Sequence, residues 1–544
     1  MRAESDALTS GAFTTDAPGA GSGSEQARAR ALAERRNLPF LSLEEVEGLA
    51  TAAAGVSANF LRQARAFPLS DTDGVLLVAI ADPDNAEALE SLEIACGLPV
   101  RVGVAAAGDI DAAIDRACGG LSAMGRIVAD LDGGGPADDD LDQLKSQASD
   151  APVVRLVNHL IEEAVRQGAS DIHIEPFADK IAVRLRVDGV MRDQEPVPKR
   201  LGRAMVSRIK ILANLNIAER RLPQDGRIAH RVNGRPLDLR ISTLPTVHGE
   251  SVVTRLLDPG AGVRSLSSLG FDAAQEAVLQ RLAQAPNGMV LVTGPTGSGK
   301  STTLYAALGL IDARQRKLLT VEDPVEYHME RVNQVQVKPA IGLTFATVLR
   351  ALVRQDPDVI MVGETRDPET ADIAVHAALT GHLVLSTLHT NSAAGALTRL
   401  MDMGVEPFLL TSSVRAVIAQ RLVRLLCRAC RRAEPADPET LRLLADAGLV
   451  PVAGETETRA AVTIHRPVGC PDCGGTGYAG RVGIYEMMTM NEPLRALTLQ
   501  RAGADAIQAA AVAGGMSTLF RDGLVKVQRG LTTLEEIQRV CDVW

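Results

Sequence analysis

The chain has 544 residues, too many for one core and enough for three or four domains. Its charged content of 23% and hydrophobic content of 46% are those of a soluble globular protein, and a formal charge of −10 argues against a general nucleic-acid binder. Neither a membrane-spanning helix nor a signal peptide is expected from its apolar runs, and two Cys-x-x-Cys pairs among seven cysteines suit metal binding in a reducing, cytoplasmic compartment.

Residues 1–24, rich in Gly, Ser, Ala and Thr without periodicity, read as a disordered tail. Across 25–118 the pattern is that of a small α/β domain. It runs through an Arg/Ala/Glu-rich helix, an apolar strand from Val75 to Ala81 and the turn Asp82-Pro83-Asp84. A helix to about Ile94, a strand from Val100 to Val104 and a helix from Asp109 complete it. Residues 119–150, with Gly133-Gly-Gly-Pro136 and an acidic run from Asp138 to Asp142, have the composition of a flexible linker. In 151–258, Val153, Leu156, Val157, Leu160 and Ile161 keep helical spacing behind Pro152, which suits a first helical turn. Ile181, Val183, Leu185 and Val187 then alternate with Ala182, Arg184 and Arg186, the period of a half-buried strand, so this unit reads as α+β. A linker, 259–271, leads to a core at 272–420.

In that core the apolar run Met289 to Val292 precedes Gly294, Pro295, Thr296, Gly297, Ser298, Gly299, Lys300, Ser301 and Thr302, with a helix-like segment from Thr302 to Ala313. A strand–loop–helix of the form G-x-x-x-x-G-K-[ST] cradles phosphates: glycines let backbone N–H groups turn inward, and the helix dipole adds positive charge. Lys300 is then placed to reach the β- and γ-phosphates of ATP, and the Ser301 hydroxyl to ligate Mg2+. The alternative, a chance match in a Gly-rich chain, leaves the flanking strand and helix unexplained. Hydrolysis also needs carboxylates, and two apolar runs end in them: Leu318 to Val321 before Glu322, Asp323 and Glu326, and the strand after Asp358 that ends at Glu364. One such group can hold Mg2+ or its water while the other orients the attacking water. Ordinary turn and cap roles are the alternative for Glu322 and Asp323. A third strand, from His382 to Thr387, leaves His389 and Asn391 past its C-terminal end, where His389 can sense the γ-phosphate. For His382 a satisfied structural position serves as well.

In 421–485, Cys427-x-x-Cys430 and Cys470-x-x-Cys473 supply four thiolates for tetrahedral Zn2+, and a closed set of four cysteines is structural. The long insert between the pairs can form a helical arm. A redox dithiol is the alternative, for which two matched pairs are redundant. Cys96, Cys118 and Cys541 read as buried small residues. Arg421, Arg424, Arg428, Arg431 and Arg432 form the densest basic stretch, suited to anionic lipid headgroups or a partner, and equally to a solvated helix face. The remainder, 486–544, reads as helical, with Thr533-x-x-Glu536 as a capping box opening the last helix.

Together these segments resemble the secretion superfamily of hexameric ATPases over roughly Glu25 to the C-terminus. The nucleotide-site segments look like its Walker A, aspartate box, atypical Walker B and histidine box. Ala169 to Pro176, Arg184-x-Arg186-x-Asp188-Gly189 and Arg221 to Arg227 match its second N-terminal domain. Thr387 to Gln420 and Gly469 to Glu486 most resemble its type II secretion branch, close to type IV pilus assembly ATPases. The resemblance implies a multidomain α/β chain: an N-terminal α/β docking domain, a PAS-like α+β domain, a RecA-like P-loop ATPase domain and a four-cysteine zinc appendage. It implies a homo-hexameric ring, peripheral to the inner membrane, that drives pseudopilus assembly and protein export. Its implied partners are the cytoplasmic domain of an inner-membrane assembly protein and a polytopic platform protein. Glu322 matches the family's proposed general base, Glu364 its magnesium-site carboxylate, and Arg227 and Arg240 the arginines that close on the nucleotide from the PAS-like domain. Thr365 stands where the family usually has isoleucine. A nucleic-acid motor or DNA-uptake component is the reading from another class; at 3% aromatic residues the chain lacks stacking platforms for single strands, and no nucleic-acid partner is expected.

Overall fold

The computed structural model describes residues 22–42, 58–72, 75–117, 151–232, 234–257, 262–450 and 462–541, with Val56 and Ser149. The predicted tail up to residue 21, Cys118 and nearly all of the predicted linker lie outside these residues. Where the tail was expected to reach residue 24, a helix, Ser22–Arg36, has already begun.

The first unit carries strands β1 (Ala66–Thr72), β2 (Val75–Ile80) and β3 (Val100–Val104) in the order β1-β2-β3. The parallel pair β2–β3 is crossed by the helix Ala86–Cys96, whose Asn85 side chain accepts the Ala88 N–H. Phe67, Leu76, Ile80, Leu92 and Ile110 form its core.

In the second unit the helix Ala151–Arg166 buries Leu156, Leu160 and Ala164 against a sheet. That sheet contains β4 (Ala169–Pro176), β5 (Lys180–Val187), β6 (Val190–Asp193), β7 (Val197–Pro198), β8 (Gln224–Val232), β9 (Arg235–Thr246) and β10 (Gly249–Leu257). Its order is β6-β5-β4-β10-β9-β8, with β7 beside β5. Ile181, Val183, Leu185 and Val187 are all buried, as the period-two pattern requires. Asp188 and Gly189, at φ of 51° and 83°, turn β5 into β6; Asp-Gly favours such two-residue hairpins because both positions tolerate positive φ.

The third unit is the α/β core. Strands β11 (Gly288–Thr293), β12 (Leu318–Glu322), β13 (Val332–Gln336), β14 (Val359–Val362), β15 (Leu383–Leu388) and β16 (Val414–Leu426) are parallel. Residues 432–435 form β17 and 463–466 form β18, and β19 (Tyr478–Thr489) returns antiparallel to β16. The sheet order is β13-β12-β14-β15-β11-β16-β19. β11, β12, β14 and β15 are buried along their whole lengths, as strands covered on both faces must be, so they read as unbroken apolar runs. This doubly covered sheet, the antiparallel unit before it and the small α/β unit give the multidomain α/β fold that the residues predict.

Four local expectations change. The helix after the glycine loop spans Lys300–Leu308 and stops at Gly309, short of Ala313. The basic stretch is not one helix face: Arg421 and Arg424 lie on β16, and the Arg431 guanidinium donates to Gly530 O at 2.5 Å. Arg424 lies over the Tyr478 ring, 4.1 Å from its centroid, and pairs with Glu536 at 2.6 Å. The expected capping box is half made: the Thr533 hydroxyl accepts the Glu536 N–H at 3.4 Å, while the Glu536 carboxylate turns to Arg424 and Arg539. Cys541 is buried, whereas Cys96 is partly exposed.

Candidate functional site

The parallel strands aim their carboxyl ends at one edge of the sheet, where ligands of open α/β sheets collect. Gly294 to Gly299 follow β11 there, with Gly297 and Gly299 at φ of 79° and 86°. The side chain of Lys300 folds back over the loop, its Nζ donating to Gly294 O at 2.9 Å and Pro295 O at 3.1 Å. Burial holds this amine down at about 8; Glu364 pulls it upward, and Arg421 and Arg366 press it further down. A desolvated lysine at a helix N-terminus, beneath N–H groups that have no intrahelical acceptor, is a built receptor for anionic oxygen.

Glu364 follows β14 and reaches the same edge. Its Oε2 is 2.8 Å from Arg366 Nε and 3.8 Å from His389 Nε2. His389 is lowered below the usual imidazole value by burial and then by Lys300, so it is neutral at pH 7. Thus Lys300, Glu364 and His389 converge. Thr365 is buried beside them, and its hydroxyl finds that of Ser386 at 2.8 Å, which accounts for a polar residue where isoleucine was expected. His382 takes the structural role, its Nδ1 lying 2.9 Å from Ala377 O.

Glu322 ends β12 fully enclosed, 4% exposed. Its carboxylate accepts Tyr305 Oη, Thr320 Oγ1 at 2.5 Å and Gln334 Nε2 at 3.1 Å. Tyr305 belongs to the helix that the glycine loop opens, so Glu322 ties that helix to β12. This carboxylate does not project freely into the cleft. Four residues on, Glu326 faces the second unit, with its carboxyl raised by burial against the pull of Arg240 and Arg255.

Arg227 and Arg240 are cross-strand partners on β8 and β9, and Arg240 is in turn opposite Arg255 on β10. Three like charges in one row oppose pairing unless anions sit against them. Asp238 meets Arg227 at 2.5 Å, Asp171 meets Arg255 at 2.9 Å, and Arg240 reaches across to the core. Its Nη2 is 3.3 Å from Val325 O and 3.7 Å from Glu326 Oε2. Arg227 remains 60% exposed. A second bridge joins the two units: Asp188 Oδ2 accepts the Gly480 N–H at 2.9 Å, with Arg481 Nε 3.7 Å from Oδ1.

The four paired cysteines converge within 4.8 Å. Cys427–Cys470, Cys430–Cys473 and Cys470–Cys473 sulfurs lie 3.8, 3.9 and 3.7 Å apart. A tetrahedral Zn–S length of about 2.3 Å gives sulfur–sulfur edges of about 3.8 Å, so the residues fit that ion. The backbone N–H groups of Cys470 and Gly477 point at the Cys473 sulfur at 3.2 and 3.1 Å and favour its thiolate against the pull of burial, and the Gly469 N–H reaches the Cys430 sulfur at 3.3 Å. Among its described residues, the insert between the pairs carries a two-stranded sheet, β17–β18, and the helix Pro438–Asp446.

Sequence reading alone missed Tyr305, Arg255, Arg366 and Gln420, and it singled out Arg421 only as part of a basic stretch. Only Arg366 carried a signal, being two residues beyond Glu364; the others depend on strand pairing or, for Tyr305, on how the helix Lys300–Leu308 packs against the sheet. Arg421 is 8% exposed and donates to Gln420 O and Asn391 O, each at 3.0 Å.

Residues 146–539 match the protein family described as type II/IV secretion system protein, and residues 36–124 match the MshEN domain. The type II secretion system protein E of Xanthomonas campestris pv. campestris is 48% identical over 524 residues, 95% of this chain and 91% of that protein. The type IV pilus assembly ATPase PilB of Myxococcus xanthus is 45% identical over 476 residues, covering 86% and 83% of the two chains. The solved ATPase DotB of Yersinia pseudotuberculosis has the same fold, with a TM-score of 0.52 at 22% identity, over 71% of this chain and 93% of that one.

Proposed function

Because the chain belongs to the type II/IV secretion system protein family, we propose that it is the ATPase of a type II secretion system, hydrolysing ATP to drive pseudopilus assembly and protein export. The observation that carries this reading is the convergence of Lys300, Glu364 and His389 at the end of the parallel sheet, with Arg240 reaching in from the preceding unit. The Gly294–Ser301 loop binds the phosphates. Ser301 and Glu364 would hold Mg2+, which when bound offsets charge on the β- and γ-phosphate oxygens. Arg227 swings from Asp238 to the nucleotide as the two units close, and Arg240 moves with it, so turnover changes the angle between them.

In this reading six copies form a ring, peripheral to the inner membrane. The ring docks through its first unit on the cytoplasmic domain of an assembly protein and acts on a polytopic platform protein. Among the described residues no helix is long and apolar enough to cross a membrane. Cys427, Cys430, Cys470 and Cys473 would hold Zn2+ as a structural brace.

Glu322 is assigned the general-base role only if it releases a donor on nucleotide binding, since three hold it here. Glu364→Gln is expected to lower kcat by about 10²-fold with ATP affinity within threefold, because the change removes charge and keeps shape. Equal loss of binding, measured by fluorescence titration, would make Glu364 a structural residue.

The 45% identity to a pilus assembly ATPase keeps a second reading in view, assembly of a type IV pilus. Deleting the gene and complementing with wild type or Lys300→Ala separates the two. Loss of extracellular enzyme release with surface pili intact, restored by wild type alone, supports type II secretion. Loss of pili with release unchanged assigns the chain to pilus assembly.

A further inference from the structure

Behind the phosphate loop lies an amide that the proposed chemistry does not use. Gln420 sits on β16, beside β11, and is 1% exposed. Its Nε2 donates to Ser298 O at 2.6 Å, and its Oε1 accepts the Thr303 hydroxyl at 2.8 Å. One side chain therefore grips the loop just before Gly299 and the helix that follows it. The glycines make this grip sterically feasible: a Cβ on Gly294 would fall 2.5 Å from Gln420 O, and one on Gly299 would fall 3.2 Å from Gln420 Nε2. The main chain of Gln420 is held in turn, since Arg421 Nη1 donates to its carbonyl at 3.0 Å.

The consequence follows from peptide geometry. In a trans peptide the carbonyl and the next N–H point in opposite directions. Fixing Ser298 O toward Gln420 therefore turns the Gly299 N–H away from β16. Gly299 is the N-cap of the helix Lys300–Leu308, where N–H groups have no intrahelical acceptor. We propose that Gln420 is a positioning residue for phosphate binding, presetting the Gly299 peptide so that the loop presents its N–H to an ATP phosphate without rearranging. This rests on the reading of the loop as an ATP site.

The test uses the full chain, a fluorescent ATP analogue and steady-state phosphate release. Gln420→Met keeps volume and removes both the donor to Ser298 O and the acceptor of the Thr303 hydroxyl. It is expected to raise the analogue Kd and the KM for ATP roughly tenfold each, with kcat at saturation within about twofold and a lower Tm that still leaves the protein folded at the assay temperature, the pattern of lost uniform binding. Wild-type Kd and KM in a folded Gln420→Met protein would overturn the proposal. Should that variant not fold, Thr303→Val gives the reading from the other side. Releasing Oε1 lets the amide rotate, and KM should rise a few fold at constant kcat; an unchanged KM would equally overturn it. If wild-type protein binds no analogue, the ATP site itself falls, and the two failures are distinct.

Discussion

Replacing Lys300 with Ala is expected to reduce ATP turnover by at least about 10³-fold while leaving the empty protein as stable as wild type, or more stable. The reason lies in how the amine is held. It is 9% exposed, its hydrogen bonds go to two loop carbonyls, and burial holds it at about 8 instead of its ordinary 10.5. The folded chain thus binds fewer protons at this site than the unfolded chain as pH goes from about 8 to 10.5. The sign is unfavourable: burying the charged amine costs stability fully below pH 8, and the cost is relieved as pH rises through that window. A triphosphate reverses this by supplying negative charge, so ATP binding should take up a proton above pH 8 and weaken as pH increases. Calorimetry in two buffers of different ionisation enthalpy measures that uptake. Turnover retained in Lys300→Ala would dismiss the loop as the site, and a collapsed Tm would make the lysine structural.

The second large effect is expected at the cysteine cluster. Cys470→Ser should release the metal and loosen the backbone from Cys427 to Tyr478, lowering stability by several kcal/mol; structural zinc supplies about 10–16 kcal/mol of apparent binding free energy in the smallest metal-folded domains. Metal analysis of purified wild type should give one zinc per chain, and limited proteolysis should cut the variant between the two knuckles first. Wild type free of zinc would refute the four-cysteine site. Because β16 ends one residue before Cys427, the damage should also reach the core sheet.

The contrast between the two sites and the arginine row explains what the sequence made legible. Gly294 to Ser301 and each Cys-x-x-Cys are contiguous, so spacing alone carries their chemistry. Buried strands announced themselves as apolar runs, and the carboxylates and His389 stood at their ends. Arg255 stayed hidden because only the β9–β10 register places it opposite Arg240. Gln420 and Ser298 are separated by 122 residues and meet through strand order, which no local pattern encodes. The basic stretch misled because closely spaced arginines suggest one helix face, whereas Arg421 and Arg424 lie on β16 and the chain leaves that strand at Leu426. Glu322 was found, but its three donors were not, since two of them come from other elements.

The bridge from Asp188 to Gly480 has a mechanical consequence. Gly480 belongs to β19, and β19 is laced to β16 along most of both strands. A tug on the β5–β6 turn along the strand axis would therefore be resisted in shear, by many ladder bonds sharing the load at once. Peeling would break them singly. β16 lies beside β11, the strand that feeds the glycine loop. The hairpin turn and the loop are accordingly joined through β19, β16 and β11, and in the proposed cycle a rotation between units would reach the loop as displacement, with little lost to stretching on the way.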